Sequence, residues 1–540
     1  MFAARLLALL LPLGIWLVQS TTTPRSYESR LAAGGFIACG VSLMTFLLFG
    51  FALMFGGIGA INADPALSQY VSFLTFPFAS QTWGIVGLRG FGLTDASSAA
   101  LDVFINYVPL VATVSIVVAS TQVRRAIGLL NIALASFVGT ITFSVVGFWL
   151  WGGGWLAMLG ANLNLGHGAI DFGGLPTVAL VAGCAGLVWL YINRNDSESA
   201  PAALQSYHPS RGMVGIIFML VGVCGFFIGN PLFASISADS QSLYAINAMV
   251  ASFLAGGLAI GYSIVALRRP DMLLAGRAVF AALTMTAAGS VFYSTTIAVI
   301  TGLLGAVVAI AGVYYASTVL RIREEYGFAV TSILSGALGF VLVGFFANGT
   351  RGAGINAIGP SAYLGVPGLG ISGLFTNSFA NSDPGQLTAQ FVAIIVIAVF
   401  SALVYAPLAL VSKRIKVPTY AADVSTNDEV LQPGSTAPAL APYPQPVIAQ
   451  VLEPTDNIPV VETPVIQTSV AAVVSEPPVK KITLLERLRL ARLNNKSTPP
   501  PTQARHTAYP VRAGGRRISI RPLVHPRQTA PVQESPEKNS

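Results

Sequence analysis

Residues 168–188 read GAIDFGGLPTVALVAGCAGLV, a run of apolar and small residues entered by a single carboxylate, Asp171. The run is long and apolar enough for a membrane helix, since roughly 20 such residues cross the hydrocarbon core. The acid at its entrance then needs a place. A carboxylate left in hydrocarbon is costly to desolvate, so Asp171 is expected at an interface, as a helix N-cap or beside a pore.

The rest of the chain repeats the apolar pattern. Of its 540 residues 54% are hydrophobic and 10% charged, a balance that excludes an ordinary soluble domain and marks a polytopic membrane protein. Runs of membrane-spanning length lie near 32–60, 103–120, 127–150, 172–193, 212–230, 243–267, 273–293, 296–320, 328–347 and 387–412. Gly, Ala and Ser are scattered through them, which suits closely packed helices rather than barrel strands, so the fold class is all-α. Cys39, Cys184 and Cys224 fall inside these runs without metal or redox spacing. No nucleophile and base, metal cluster or phosphate loop emerges, so neither an enzyme nor a bound cofactor or metal is expected.

The net charge of +8 reflects membrane topology and a tail, and points to no nucleic-acid partner. Basic loops hold Arg25 and Arg30, Arg124 and Arg125, Arg194 and Arg211, Arg268, Arg269 and Arg277, and Arg321 and Arg323. The loops between them carry Arg89 and Arg351 but are otherwise furnished with Asp64, Asp95, Asp102, Asp171, Asp239 and Asp383. The positive-inside rule turns this alternation into one topology, with Lys413, Arg414 and Lys416 ending the last span in the cytoplasm. The N-terminal MFAARLLALLLPLGIWLVQS resembles a signal peptide. Its removal would invert every later loop, so the charges favour a retained first span over residues 5–19 and an N-terminus outside. Its short apolar core and Pro12 keep a second reading open, a cleaved signal plus a hairpin within 32–60. Residues 1–30 are thus an N-terminal apolar segment, 31–416 the membrane domain, and 417–540 a basic, proline-rich cytoplasmic tail too poor in core residues to fold. Within it KKITLLERLRLARLNNK, 480–496, reads as a short amphipathic helix with basic residues suited to anionic lipid.

At FWLWGGGWLAMLG, 148–160, continuing into the 168–188 stretch, the sequence resembles the ammonium transporter family, related to the Rhesus proteins. That family carries WGGG followed by a GALDFAGG-type motif. VGVCGFFIGN at 221–230 is similar to its GWFGFNAGS, ALTMTAAGS at 282–290 falls where it often has TPAAG, and GQLTAQFVAIIVIAVFSALV at 385–404 matches its last span. The resemblance implies a homotrimer in the cell membrane, each subunit with eleven spans, two inverted five-helix repeats and a last helix around a narrow pore. It implies that Trp151 lines the outer vestibule for an ammonium cation and that Asn230 replaces a serine that hydrogen-bonds the cation. Phe226 falls on one of two stacked gate phenylalanines and Tyr107 at or next to the other. Asp171 occupies the position of the motif acid, capping the fifth span at the outer mouth.

The centre departs from the family. Its paired pore histidines, one in a VVHI and one in a GVHG context, correspond to Ala179 and to Ala329 of YGFAVTS, while His167, His208, His506 and His525 lie in loops or the tail. Two functions compete: a channel or transporter for ammonium or ammonia, and a non-conducting homologue serving as sensor or scaffold. The family's GLD-type tail element is absent from KVPTYAADVSTNDE, so the tail is expected to bind a different regulator, if any.

Overall fold

A computed structural model describes residues 1–414 except 24, 63, 123–128, 194–206, 234–237, 291, 321–327, 349–361, 364–365, 368–369 and 377–381. The 417–540 tail and its 480–496 segment lie outside the described residues. Eleven apolar helices run through the rest: α1 Phe2–Thr22, α2 Glu28–Ala60, α3 Ser98–Ser120, α4 Leu129–Trp151, α5 Leu175–Ile192, α6 Pro209–Gly229, α7 Gln241–Leu267, α8 Met272–Ala288, α9 Thr295–Ala316, α10 Ala329–Phe346 and α11 Pro384–Arg414. Ten have the length and hydropathy of a crossing helix. The other, α8, has 17 residues, the lower end of the spanning range, and every residue from Leu273 to Ala288 is buried.

The first helix is interrupted at Leu9 yet keeps its direction, because Leu9 holds a helical conformation. Pro12 explains the interruption: it lacks the N–H that would bond to the carbonyl of Ala8. The helix runs antiparallel to α6 along a seam of glycines. Gly229 sits against Arg5, Gly225 against Ala8, Gly222 against Leu11 and Gly215 against Gly14. A Cβ on Gly14 or on Gly215 would lie 2.6 Å from the other residue's carbonyl oxygen, so neither position admits a side chain without moving a backbone.

Helix pairings repeat between the two halves of the chain. In the first, α2 packs on α3 and α4, and α3 on α5; in the second, α7 packs on α8 and α9, and α8 on α10. Across the halves, α1 lies on α6 and α5 on α10. The second pair is also antiparallel, with Pro176 and Leu180 against Gly336, and Gly183 against Ala329 and Ile333. This is the arrangement of inverted repeats. The last helix, α11, flanks α5 and α10 and turns Phe391, Ile395, Val399 and Leu403 outward.

The helical fold carries strands that the sequence reading did not include, a two-residue antiparallel pair of Ala362–Tyr363 with Val366–Pro367 and a longer hairpin. Strands β1 Phe73–Phe78 and β2 Gln81–Gly87 pair antiparallel between α2 and α3. Ala79 and Ser80 both take positive φ, the two-residue turn that matches strand twist. The hairpin is stitched to the WGGG segment: Trp149 Nε1–H donates to the Ile85 carbonyl at 2.8 Å, and Trp155 N–H to that of Gly84 at 3.0 Å.

Candidate functional site

Asp171 lies four residues before α5 begins and its carboxylate bonds to the first turn. Gly174, with φ +69°, turns the chain so that the carboxylate faces back over the first turn. Its Oδ1 accepts the Gly174 N–H at 2.8 Å, and Oδ2 accepts both the N–H of Thr177 at 2.9 Å and its hydroxyl at 2.6 Å. Pro176, between them, has no N–H to satisfy. The negative charge sits at the positive end of the helix dipole. Asp171 is only 3% exposed, so the cap is buried rather than at an open mouth. Burial pushes its carboxyl up to about 6, and the hydrogen bonds from Thr177 and Gly174 oppose that rise.

The segment that carries Asp171 is held on both sides. Gln386 accepts the His167 N–H at 2.9 Å and donates to the Gly168 carbonyl at 2.7 Å, and Gln390 makes both bonds to the backbone of Ile170 at 3.0 Å. Two glutamines of α11 thus pair with an irregular strand as a β-strand would. On the other side, the N–H groups of Phe172 and Gly173 donate to Ala288 and Ala287, within the 282–290 motif. The Asp171 carbonyl in turn accepts Trp151 Nε1–H at 2.8 Å, fixing the indole.

Trp151 opens an aromatic cluster centred on Tyr107. Ring centroids lie 5.6 Å from Tyr107 to Trp151, 5.4 Å to Phe226 and 4.8 Å to Phe55. The Tyr107–Phe226 pair, expected as stacked rings, meets at 82°, the edge-to-face geometry that the ring quadrupole favours. Tyr107 and Phe226 are 2% exposed and Trp151 is 7% exposed, so the three rings are buried against one another. One turn after Phe226, Asn230 ends α6, and its Oδ1 accepts the Leu232 N–H at 3.1 Å.

Ala179 and Ala329 are both fully buried on the α5–α10 seam. Ala329 packs on Gly183 and Gly186: a Cβ on Gly186 would come 3.0 Å from that of Ala329. Ala329 therefore sits one to two turns further along α5 than Ala179, and the two positions are offset. Ser332, a turn into α10, is fully buried and its hydroxyl has no hydrogen-bond partner among the described residues.

A profile of the Ammonium Transporter Family matches residues 1–428. The chain belongs to the ammonium transporter family. Within that family it is 24% identical over 347 residues to ammonium transporter Amt2 of Archaeoglobus fulgidus, covering 58% of this chain and 71% of the relative. With the ammonium transporter of Bacillus subtilis it shares 25% over 366 residues, 64% and 79% of the two chains. Among solved structures, Candida albicans Mep2 aligns with a TM-score of 0.57 at 18% identity over 76% of this chain and 83% of that one, and a structure titled "Sensor Amt Protein" with 0.57 at 19% over 77% and 92%. At such identity the structural likeness establishes the transporter fold alone. Several residues of this family member escaped the sequence reading. Gln386 and Gln390 had one available signal, two amides spaced i, i+4 at the start of an apolar span; Arg5, Asp102 and Asn106 had none that local pattern supplies.

Proposed function

We propose that the chain forms a pathway across the cell membrane for ammonia or a similar small uncharged molecule, assembled as a homotrimer with its N-terminus outside and its tail in the cytoplasm, where a regulator could dock. The observation that carries this reading is the α5–α10 seam, where Ala179 and Ala329 are fully buried and Ala329 packs on Gly183 and Gly186. Alanine neither accepts nor passes a proton, and Asp171 is engaged as a cap. Bringing a bare ammonium ion into such a lining costs on the order of tens of kcal/mol by the idealised Born estimate, whereas a neutral molecule escapes that cost. The ring face of Trp151 suits the outer end, where a cation gathers and gives its proton to water before the neutral molecule enters.

A second reading is a non-conducting sensor or scaffold. The closed Tyr107–Phe226 contact favours it. Reconstitution separates the two. On an ammonium jump, proteoliposomes are expected to alkalinise faster than protein-free vesicles, without a saturable current on a solid-supported membrane, and the native mass should be three times 56.3 kDa. A saturable ammonium current abolished by blocking substitutions at Tyr107 and Phe226 would overturn the neutral pathway. Flux equal to protein-free vesicles would leave the sensor reading.

A further inference from the structure

The hairpin between α2 and α3 carries an apolar face that the described residues leave uncovered. Phe73 turns to the ring of Phe148 on α4, 5.8 Å away. Strand side chains alternate, so Leu74, Phe76 and Phe78 share the opposite face, and they are 50%, 37% and 63% exposed. Val71 and Leu88, flanking the strands, are exposed as well. From 65 to 88 the chain has no charged residue. A contiguous exposed apolar patch of this kind marks an interaction surface.

The hairpin lies beside the last turns of the helices rather than above them. Trp149, which bonds to the Ile85 carbonyl, stands within α4 two residues before its end at Trp151. A Cβ on Gly57, near the end of α2, would meet Phe73 Cδ1 at 2.9 Å. The Trp149 ring also packs on Phe400 of α11 at 4.8 Å, which places the support of the hairpin at the perimeter, where α11 turns its apolar row outward. Helix α2 likewise exposes Leu43, Met44, Leu48 and Phe49. The outer edge of β1 argues against an added protein strand. Phe78 and Gln81 flank the two-residue turn and exchange backbone bonds, so the next pair, Pro77 and Thr82, turns its backbone groups outward. Pro77 has no N–H to offer there, and a proline on an edge blocks strand addition.

We propose that this hairpin is a membrane anchor, whose Leu74, Phe76 and Phe78 insert at the boundary of headgroups and acyl chains in the leaflet at that end of the helices. Apolar side chains on a surface element gain by burial at this depth. With no charge on the hairpin, the attachment is apolar and needs no anionic headgroup. Trp83 Nε1–H donates to the Phe78 carbonyl at 2.9 Å and braces the tip. Through Trp149 and Trp155 the anchor sets the depth of the WGGG segment in the bilayer.

Nitroxide labels measure that depth. The full chain, with Cys39, Cys184 and Cys224 replaced by alanine, receives one new cysteine and is reconstituted in phosphatidylcholine nanodiscs. Labels at Phe78→Cys and Leu74→Cys should collide more with oxygen, which concentrates among acyl chains, than with Ni-EDDA, which stays in water. A label at Ser68→Cys, an exposed position ahead of the hairpin, should show the reverse order. Excess Ni-EDDA collision at both 74 and 78 would place the face in water and overturn the anchor. Labels shielded from both reagents would make the face a contact with a neighbouring subunit and overturn it equally. Nanodiscs containing phosphatidylglycerol should give the same depth; insertion confined to them would overturn apolar anchoring in favour of headgroup recognition.

Discussion

At the residue scale, Asp171 carries both local order and a pH response. Removing its carboxylate leaves the Gly174 N–H, the Thr177 N–H and the Thr177 hydroxyl without an acceptor in a site closed to water. Asp171→Ala should therefore cost about 3 kcal/mol and Thr177→Val about 1 kcal/mol, read from the thermal unfolding of the purified protein. The pH response follows from the sign of the shift. Burial holds the folded carboxyl at about 6, above its ordinary 3.8, so the fold binds that proton more tightly than the unfolded chain does. The resulting stability is fully present below the ordinary value and is lost as pH rises through about 6. Between those values the unaltered protein should lose melting temperature faster than Asp171→Asn; equal slopes would mean that the three donors keep the carboxylate ionised throughout. The cap was legible in the sequence because Asp171 and its partners lie within six residues of each other. The clamp and the ion pair were not, since Gln386 reaches back 219 residues to His167 and Arg5 reaches forward 97 to Asp102.

At the scale of elements, length and apolarity located the helices because a bilayer demands both at once. They did not reveal the hairpin. Strands β1 and β2 are short, Gly84 and Gly87 interrupt the second, and their stabilising bonds run to Trp149 and Trp155 on a distant segment. A similar dependence on distant partners governs the strand-like 167–170 segment, whose order comes from two side chains of α11. With Gln386→Leu and Gln390→Leu combined, four hydrogen bonds disappear and four backbone groups are left buried without partners. At about 1 kcal/mol for each bond, the double variant should lose about 4 kcal/mol. Hydrogen exchange gives the local readout: the amides of His167 and Ile170 should exchange faster while those in the middle of α11 stay protected. Unchanged exchange at both would show that packing, and not the glutamine pair, holds the segment that positions Asp171 and Trp151.

At the scale of the whole molecule, the repeated pairings make the first helix the counterpart of α6, and this bears on the fate of the N-terminus. If residues 1–19 were removed as a signal peptide, Gly215, Gly222, Gly225 and Gly229 would lose the helix they pack against. Asp102 would lose its ion-pair partner Arg5, and the Gly229 carbonyl its donor. Glycine-lined seams gain their stability from close backbone contact, which lipid chains reproduce poorly. The second half would then keep five helices of its repeat against four in the first. The charge distribution argues the same way from an independent direction, since with α2 crossing once a retained first span places Arg124, Arg125 and the later basic loops in the cytoplasm, whereas its removal would place them all outside. The intact mass of the membrane-extracted protein should therefore retain residues 2–22, and a reporter inserted after Arg125 should read as cytoplasmic. A mature chain starting near residue 20, with the same reporter outside, would reverse the topology of every later loop and remove the Arg5–Asp102 ion pair.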